Sequence, residues 1–221
     1  MRPTTKSDET RARILAAAME LFRRGGFEET TMREIAEEAG VATGAAYYYF
    51  DSKDAIVLAF YSQAQNDMEP LLAEALAGPG GLERRLRALL DVKLKYFEQN
   101  RRLLGTLAAH ADPEHPLSPF SDRTREIRER DMQYFERALS ASRLRIPGDL
   151  RPLLPRIMWM YQMGLVLFWI FDRSANQVRT MALMDKSLAI VVRLIQLSAF
   201  PLLRPVRRSI VQLLTAMSGE G

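Results

Sequence analysis

The stretch TMREIAEEAGVATGAAYYYF, Thr31 to Phe50, constrains the chain more than any other. It holds two short helical patterns with one glycine between them. Thr31-Met-Arg-Glu34 has the spacing of a capping box, in which the first and fourth side chains satisfy each other's backbone N–H, so a helix opens here. Gly40 stops it, because a residue without Cβ takes a positive φ freely. A third helix, very short, covers about Thr43 to Tyr48. Ile35, Ala36 and Ala39 give the first of these two short helices an apolar face, and Val41, Ala45 or Ala46, and Phe50 continue it. Ala36 and Ala46 are small enough for the two helices to cross closely. Helix, tight turn, helix is the helix-turn-helix arrangement. Yet Tyr47, Tyr48 and Tyr49 follow one another. A short helix can bury one or two of those rings, so some must face outward.

Helical spacing recurs along the rest of the chain. Ile14, Ala18, Leu21 and Phe22 fall on one stripe, Arg23 and Arg24 place positive charge at its C-terminal end, and Gly25-Gly26 close it. No period-2 alternation and no Asn-Gly or Asp-Gly hairpin appears, so the fold class is all-α. Asp51 or Ser52 can cap a fourth helix that runs towards Leu76, with a kink or break expected at Pro70. GPGG at 78–81 is a loop, and so is HADPEHPLSP at 110–119. Helices are expected at about 82–98, 101–110, 119–143, 149–172 and 176–199, with a basic tail segment at about 202–217. A three-helix unit therefore precedes a larger helical body.

Composition removes several function classes. The 221 residues include 48% hydrophobic ones, enough for a core, and no cysteine. Disulfides and thiolate metal sites are excluded, and a reducing cytoplasm is the expected location. The start, MRPTTKSDETRARI, lacks the apolar run of a signal peptide. IMWMYQMGLVLFWIF, 157–171, mimics a membrane span but falls short of the roughly 20 residues a span needs. Gln162 lies inside it and Asp172 and Arg173 close it, so it is read as a helix buried on all sides, with no membrane partner. The net charge is +4, yet residues 1–55 hold eight Lys/Arg against ten Asp/Glu. Only the placement of charge can reveal a polyanion partner there. His110, Asp112, Glu114 and His115 sit in a proline-bounded loop rather than on one helix face, so no metal is expected. There is no glycine-rich phosphate loop, no Gly-x-Ser-x-Gly and no paired-carboxylate motif, so no cofactor and no enzyme activity are expected.

ILAAAMELFRRGGFEETTMREIAEEAGVATGAAYYYFDSKDAIV, Ile14 to Val57, strongly resembles the N-terminal DNA-binding domain of the tetracycline-repressor (TetR) family. The resemblance covers about residues 10–58. It rests on Gly-Phe, Thr-hydrophobic-Arg-x-Ile-Ala, Ala-Gly-Val, Gly-x-x-Tyr-x-x-Phe and Ser-Lys in that order. It implies a helix-turn-helix DNA-binding domain at 1–51 and a helical effector-binding and dimerisation domain at 52–221. The third helix would enter the major groove with its N-terminal residues at base edges. The resemblance implies DNA contacts from Thr31, Arg33, Thr43, Gly44, Ala45, Tyr47, Tyr48 and Lys53. Tyr47 and Tyr48 would reach phosphates or sugar edges, Thr31 and Lys53 phosphates, and Arg33 a base or a phosphate. Tyr49 lies nearer the flank or packs against helix one. Thr43 stands where the family often has Lys or Arg, Ala45 where it often has Thr, and Ala42 where it usually has Ser. These departures leave fewer polar groups for bases and shift readout towards Arg33, Thr43 and apolar contact with thymine methyls. Arg2 and Lys6 either form an arm along the backbone or belong to a solvated tail.

Helix eight presents two apolar faces. One is Trp159, Met163, Val166 and Ile170; the other is Ile157, Tyr161, Leu165 and Phe168. Both must be covered, one by the protomer and one by a symmetric partner. A homodimer is expected through helices eight and nine, with Leu165, Phe168, Leu188, Val191 and Ile195 at the contact. Tyr96, Phe97, Met132, Phe135, Trp159 and Met163 are candidates for an effector pocket, against plain core packing for each. Rings and methionines point to an apolar or aromatic effector. The expected function is a ligand-responsive regulator, a repressor released from a palindromic operator on double-stranded DNA by a small molecule. The rival is a helical ligand carrier or enzyme with a vestigial helix-turn-helix.

Overall fold

The computed structural model describes residues 6–108 and 112–217, and among them it is helical with no strand. The helices are α1 (Lys6–Gly25), α2 (Met32–Glu38), α3 (Thr43–Tyr49), α4 (Lys53–Ala77), α5 (Leu82–Phe97), α6 (Arg101–Leu107), α7 (Arg125–Ser140), α8 (Leu154–Phe171), α9 (Val178–Ser198) and α10 (Arg204–Met217). They form two compact units. The first is Met1–Asp67 with Phe97–Ile127; the second is Met68–Tyr96 with Arg128–Gly221.

The first unit is built on the short helices. Ile14, Ala18 and Phe22 from α1, Ile35 and Ala36 from α2, and Ala46 from α3 are buried at 0–1% exposure. Leu103, Leu107 and Leu117 join the same core from later in the chain. Asp8 and Glu9 sit in the first turn of α1 and Arg23 and Arg24 in its last, each opposite the helix-dipole charge at its end. Ser52 Oγ accepts from the N–H of Ala55 at 3.1 Å and so caps α4. Proline at position 70 has no N–H to give to the turn before it, yet α4 runs through it without a break.

In the second unit the later part of α4 with α5, α7, α8 and α9 supplies the buried residues, among them Leu72, Leu89, Phe135, Trp169 and Met184. α7 starts at Arg125, not at 119. Thr124 Oγ1 donates to Ser118 O at 2.7 Å and its N–H goes to Ser121 Oγ, so hydroxyls take the backbone groups that helix would have used. The α8–α9 turn holds two non-glycine residues at positive φ, Asn176 (50°) and Gln177 (49°). Asp172 pins it. Its carboxylate accepts from the N–H and hydroxyl of both Ser174 and Thr180. These bonds, that from the Ser174 hydroxyl first, hold the Asp172 carboxyl far below the usual carboxylate range.

The stretch Arg151–Phe171 is long and apolar enough to cross a membrane by length and composition. Within one protomer it is buried on one face and exposed on the other. Met160, Leu167, Phe168 and Phe171 are 43–66% exposed within the protomer, because only one face of α8 packs inward.

Candidate nucleic-acid interface

The three-helix head is assembled from caps and small residues. Thr31 and Glu34 form the full capping box: Glu34 N–H donates to Thr31 Oγ1 at 3.2 Å, and Glu34 accepts from the Thr31 N–H at 2.8 Å and hydroxyl at 2.9 Å. The Thr31 N–H, then its hydroxyl, lower the Glu34 carboxyl from its ordinary value. Gly40 adopts φ 66°, the left-handed turn expected of it. Ala42 stands at the N-cap of α3 and gives no side-chain cap, as an alanine in that position must. Ala46 is fully buried and Phe50 is 3% exposed, and Arg11 covers the Phe50 ring at 4.7 Å. With one side of α3 fixed in this way, the other side is presented outward. Thr43 and Gly44 are exposed, Tyr47 is 52% exposed and Tyr48 83%. Ala45 is half-buried.

The three tyrosines therefore divide. Tyr49 turns back to α1, where its hydroxyl oxygen accepts from Ser7 Oγ at 3.3 Å. Its ring meets the Tyr48 ring edge-on at 5.2 Å. Tyr47 and Tyr48 face out on an apolar stem with a hydroxyl at the tip, the build that suits a partner offering both sugar and phosphate. Arg33 is exposed and forms a surface pair with Glu37 at 3.0 Å, which is easily exchanged. Lys53 is placed differently. Its ammonium donates to Phe27 O at 2.6 Å and Glu28 O at 3.1 Å and lies 4.7 Å from the Phe27 ring centroid. An ammonium has three N–H groups, so Lys53 holds the α1–α2 loop and keeps one donor for another partner. Lys6 starts α1; Arg2 lies outside the described residues.

Residues 14–60 match the family described as bacterial regulatory proteins, tetR family. Residues 85–213 match the tetracyclin repressor-like C-terminal domain. The chain belongs to the TetR family. It is similar to the transcriptional regulator TtgR of Pseudomonas putida, with 28% identity over 183 residues, 76% of this chain and 84% of that protein. With the regulator UidR of Escherichia coli it shares 27% identity over 104 residues, 47% of this chain and 53% of that protein. The chain thus spans about half the length of that relative. Among solved structures, the repressor FadR of Thermus thermophilus in complex with lauroyl-CoA superposes with TM-score 0.59 at 26% identity, over 81% of this chain and 93% of that one. FadR of Bacillus subtilis in complex with stearoyl-CoA gives TM-score 0.62 at 16% identity, over 82% and 97%, and shows the shared fold.

The body of this TetR-family chain distributes the expected residues less simply. Of the six pocket candidates, Phe135 (1%) and Trp159 (4%) are buried. Tyr96, Met132 and Met163 are half-buried. Phe97 belongs to the first unit, where its ring packs 6.0 Å from that of Phe60, so it does not share a cavity wall within the second. Two clefts are described, of about 830 Å³ beside Arg84, Arg143 and Leu188, and of about 560 Å³ beside Gly164, Leu167 and Phe171. None of the six lines either. Of the five dimer candidates, Leu165 (3%), Leu188 (1%) and Ile195 (4%) are buried inside the protomer, so they cannot meet a partner. Val191 is half-buried, and Phe168 is 43% exposed. The inward stripe of α9 is Met184, Leu188, Val192 and Ile195; the outward one is Leu183, Ile190, Leu194 and Leu197, at 40–60%. The periodicity was that of one helix face, but two apolar faces share it, and sequence spacing does not say which is inside.

In the loop before α7, His115 Nδ1 accepts from the N–H of Leu117 and Asp112 Oδ1 from that of Glu114. His110 lies outside the described residues. One cluster in the body, Lys93, Asp131 and Gln162, leaves little trace in the sequence. Its signal was Gln162 alone, a polar residue inside an apolar run.

Proposed function

We propose that this chain is a homodimeric, ligand-responsive repressor that acts in the cytoplasm. Its head, residues 1–51, binds double-stranded palindromic operator DNA, and the remainder, 52–221, binds a small, largely apolar or aromatic effector that releases it. The observation that carries the reading is the outward face of α3. Thr43, Gly44, Tyr47 and Tyr48 stand exposed on a helix whose other side, Ala46 and Phe50, is locked in the core. A helix so held can enter a major groove with its N-terminal residues at base edges. Arg33 and Lys53 supply charge for phosphate or base where the bulk charge of the head does not. Membership of the TetR family and the apolar interior of the body support an effector, as does the acyl-CoA bound by the FadR of Thermus thermophilus.

The test is a gel shift with the DNA flanking the protein's own gene, run at about 50 and 200 mM salt beside random DNA. A specific complex is expected, with affinity falling steeply as salt rises. Equal affinity for flanking and random DNA removes the operator reading.

A further inference from the structure

Three helices of the second unit each break an apolar stripe with one polar residue. On α8 the buried positions Met158, Gln162, Leu165 and Trp169 fall at i, i+4, i+7 and i+11, one helix face. On α5 Lys93 is buried with Leu86, Leu89, Leu90 and Leu94. On α7 Asp131 is buried with Tyr134, Phe135 and Ala138. The three polar residues are 4–7% exposed, and they meet. Lys93 Nζ donates to Asp131 Oδ1, and Gln162 Nε2 donates to Asp131 Oδ2 at 2.9 Å. The second bond fixes the amide, because turning it over would set Oε1 against a carboxylate. Gln162 Oε1 is then directed away from Asp131. It is buried and has no hydrogen-bond partner among the described residues.

As scaffolding alone this is an unfavourable arrangement. A buried ion pair loses hydration that its attraction only partly restores, and apolar residues of the same volume often serve stability as well or better. A buried acceptor without a donor adds its own desolvation cost. A ligand site has the opposite requirement, an apolar surround with a few convergent polar groups. The cluster offers such groups. Its charges cancel, it presents an acceptor at Gln162 Oε1, and the Lys93 ammonium is bound to the same carboxylate. A hydroxyl suits both, since its O–H can donate to Oε1 while its oxygen accepts from Nζ. A ligand carboxylate would stand beside Asp131, and a bare hydrocarbon would leave Oε1 unpaired. The Phe135 ring centroid lies 6.0 Å from Nζ, and Trp159, one turn before Gln162, is 4% exposed.

We propose that Lys93, Asp131 and Gln162 form the polar anchor of the effector site, and that the effector is an uncharged, largely apolar molecule carrying a hydroxyl. This rests on the reading of the body as effector-binding and names the chemistry of that site. The probes are 1-naphthol and naphthalene, which differ by that hydroxyl, titrated calorimetrically into the full chain and into Gln162→Met. The methionine keeps the volume and removes the acceptor. The wild-type protein should prefer 1-naphthol by about tenfold or more, and Gln162→Met should bind naphthalene at least as well with the preference gone. Gln162→Asn, which draws the acceptor back by one methylene, should weaken 1-naphthol alone and serves if the methionine variant does not fold. Equal binding of both probes by the wild type overturns the anchor and leaves the effector reading standing; a resident water satisfying Oε1 would give this result. A preference that survives both substitutions overturns the anchor too. Binding of neither probe removes the aromatic-effector reading and this inference with it.

Discussion

Tyr48 is 83% exposed, so its hydroxyl can leave without disturbing the fold. Tyr48→Phe should keep the melting temperature and weaken operator binding by roughly 0.5–1.5 kcal/mol, the net worth of one hydrogen bond. The salt slope should not change, because no charge is lost; a slope lowered by a full unit would mean that something other than the hydroxyl was removed. Lys53→Ala should differ on both counts. It gives up a cation, which lowers the salt slope by about one, and it unties Phe27 O and Glu28 O, so the head should also melt earlier. Thermal melts beside binding at two salts separate the roles, and unchanged melting would show that the loop does not depend on Lys53. Arg33→Ala and Thr43→Ala should leave stability within about 0.5 kcal/mol, as exposed positions do. Each should relax preference at particular base pairs by roughly 1–3 kcal/mol if it reads a base; equal loss on operator and random DNA would assign both to phosphates. Asp172 carries a different prediction. Its carboxyl is held far below the usual range, so below an unfolded value of about 3.9 the unfolded chain takes up a proton that the native chain does not. The stability it contributes is whole above about pH 4 and declines as the pH falls further. Asp172→Asn should melt earlier at pH 7 and show a flatter acid limb below about pH 4; parallel acid limbs would remove Asp172 from the account. At this scale the sequence was most informative where chemistry is local. The capping box, Gly40 and the uncapped Ala42 could be read directly. The tie between Lys53 and the α1–α2 loop could not, because it joins residues 25 and 26 positions apart.

At the scale of elements, helix existence was legible and helix facing was not. Nine of the ten described α-helices, α1 to α9, lie where spacing expects a helix, because apolar residues recur at helical intervals in each; α10 forms on the segment read only as a basic tail. α7 begins late because the hydroxyls of Ser118, Ser121 and Thr124 hold a compact turn, which periodicity does not register. On α8 and α9 both faces are apolar, and the inward choice depends on contacts from α5 and α7 that lie far away in sequence. The outward stripes, Met160, Leu167 and Phe171 on α8 and Leu183, Ile190, Leu194 and Leu197 on α9, are the surfaces that a second copy would cover. An isologous contact through two such helices per protomer is the simplest closed arrangement, and large exposed apolar patches on soluble chains mark interaction surfaces. Leu194→Arg should therefore yield folded monomers that bind operator poorly. Leu188→Arg should instead unfold the protomer, since it places a charge at a 1% exposed position. Light scattering and circular dichroism distinguish the two results. A Leu194→Arg dimer of wild-type affinity would place the interface elsewhere.

At the scale of the whole molecule, the remaining question is how effector and operator influence each other. α4 is the element on which the proposal depends. It starts at its Ser52 cap, three residues after α3 ends. Its residues to Asp67 belong to the first compact unit and those from Met68 to the second, and Pro70 weakens its hydrogen-bond ladder without breaking the helix. An effector that prefers one arrangement of the body would bias α4 and, through it, the spacing of two heads in a dimer. Two heads fit successive major grooves only when their centres are about 34–36 Å apart, or a multiple of that. A small change in spacing therefore weakens both half-sites together. Linkage makes this reciprocal: if the effector lowers operator affinity, operator must lower effector affinity by the same factor, typically about 5–150-fold. Calorimetry of one hydroxyl-bearing effector with and without bound operator measures that factor directly. Pro70→Ala should restore the missing hydrogen bond, stiffen α4, and change the factor while leaving each separate affinity nearly intact. If the effector binds equally well in both titrations, the body does not communicate with the head through that ligand, and the repressor reading loses its switch.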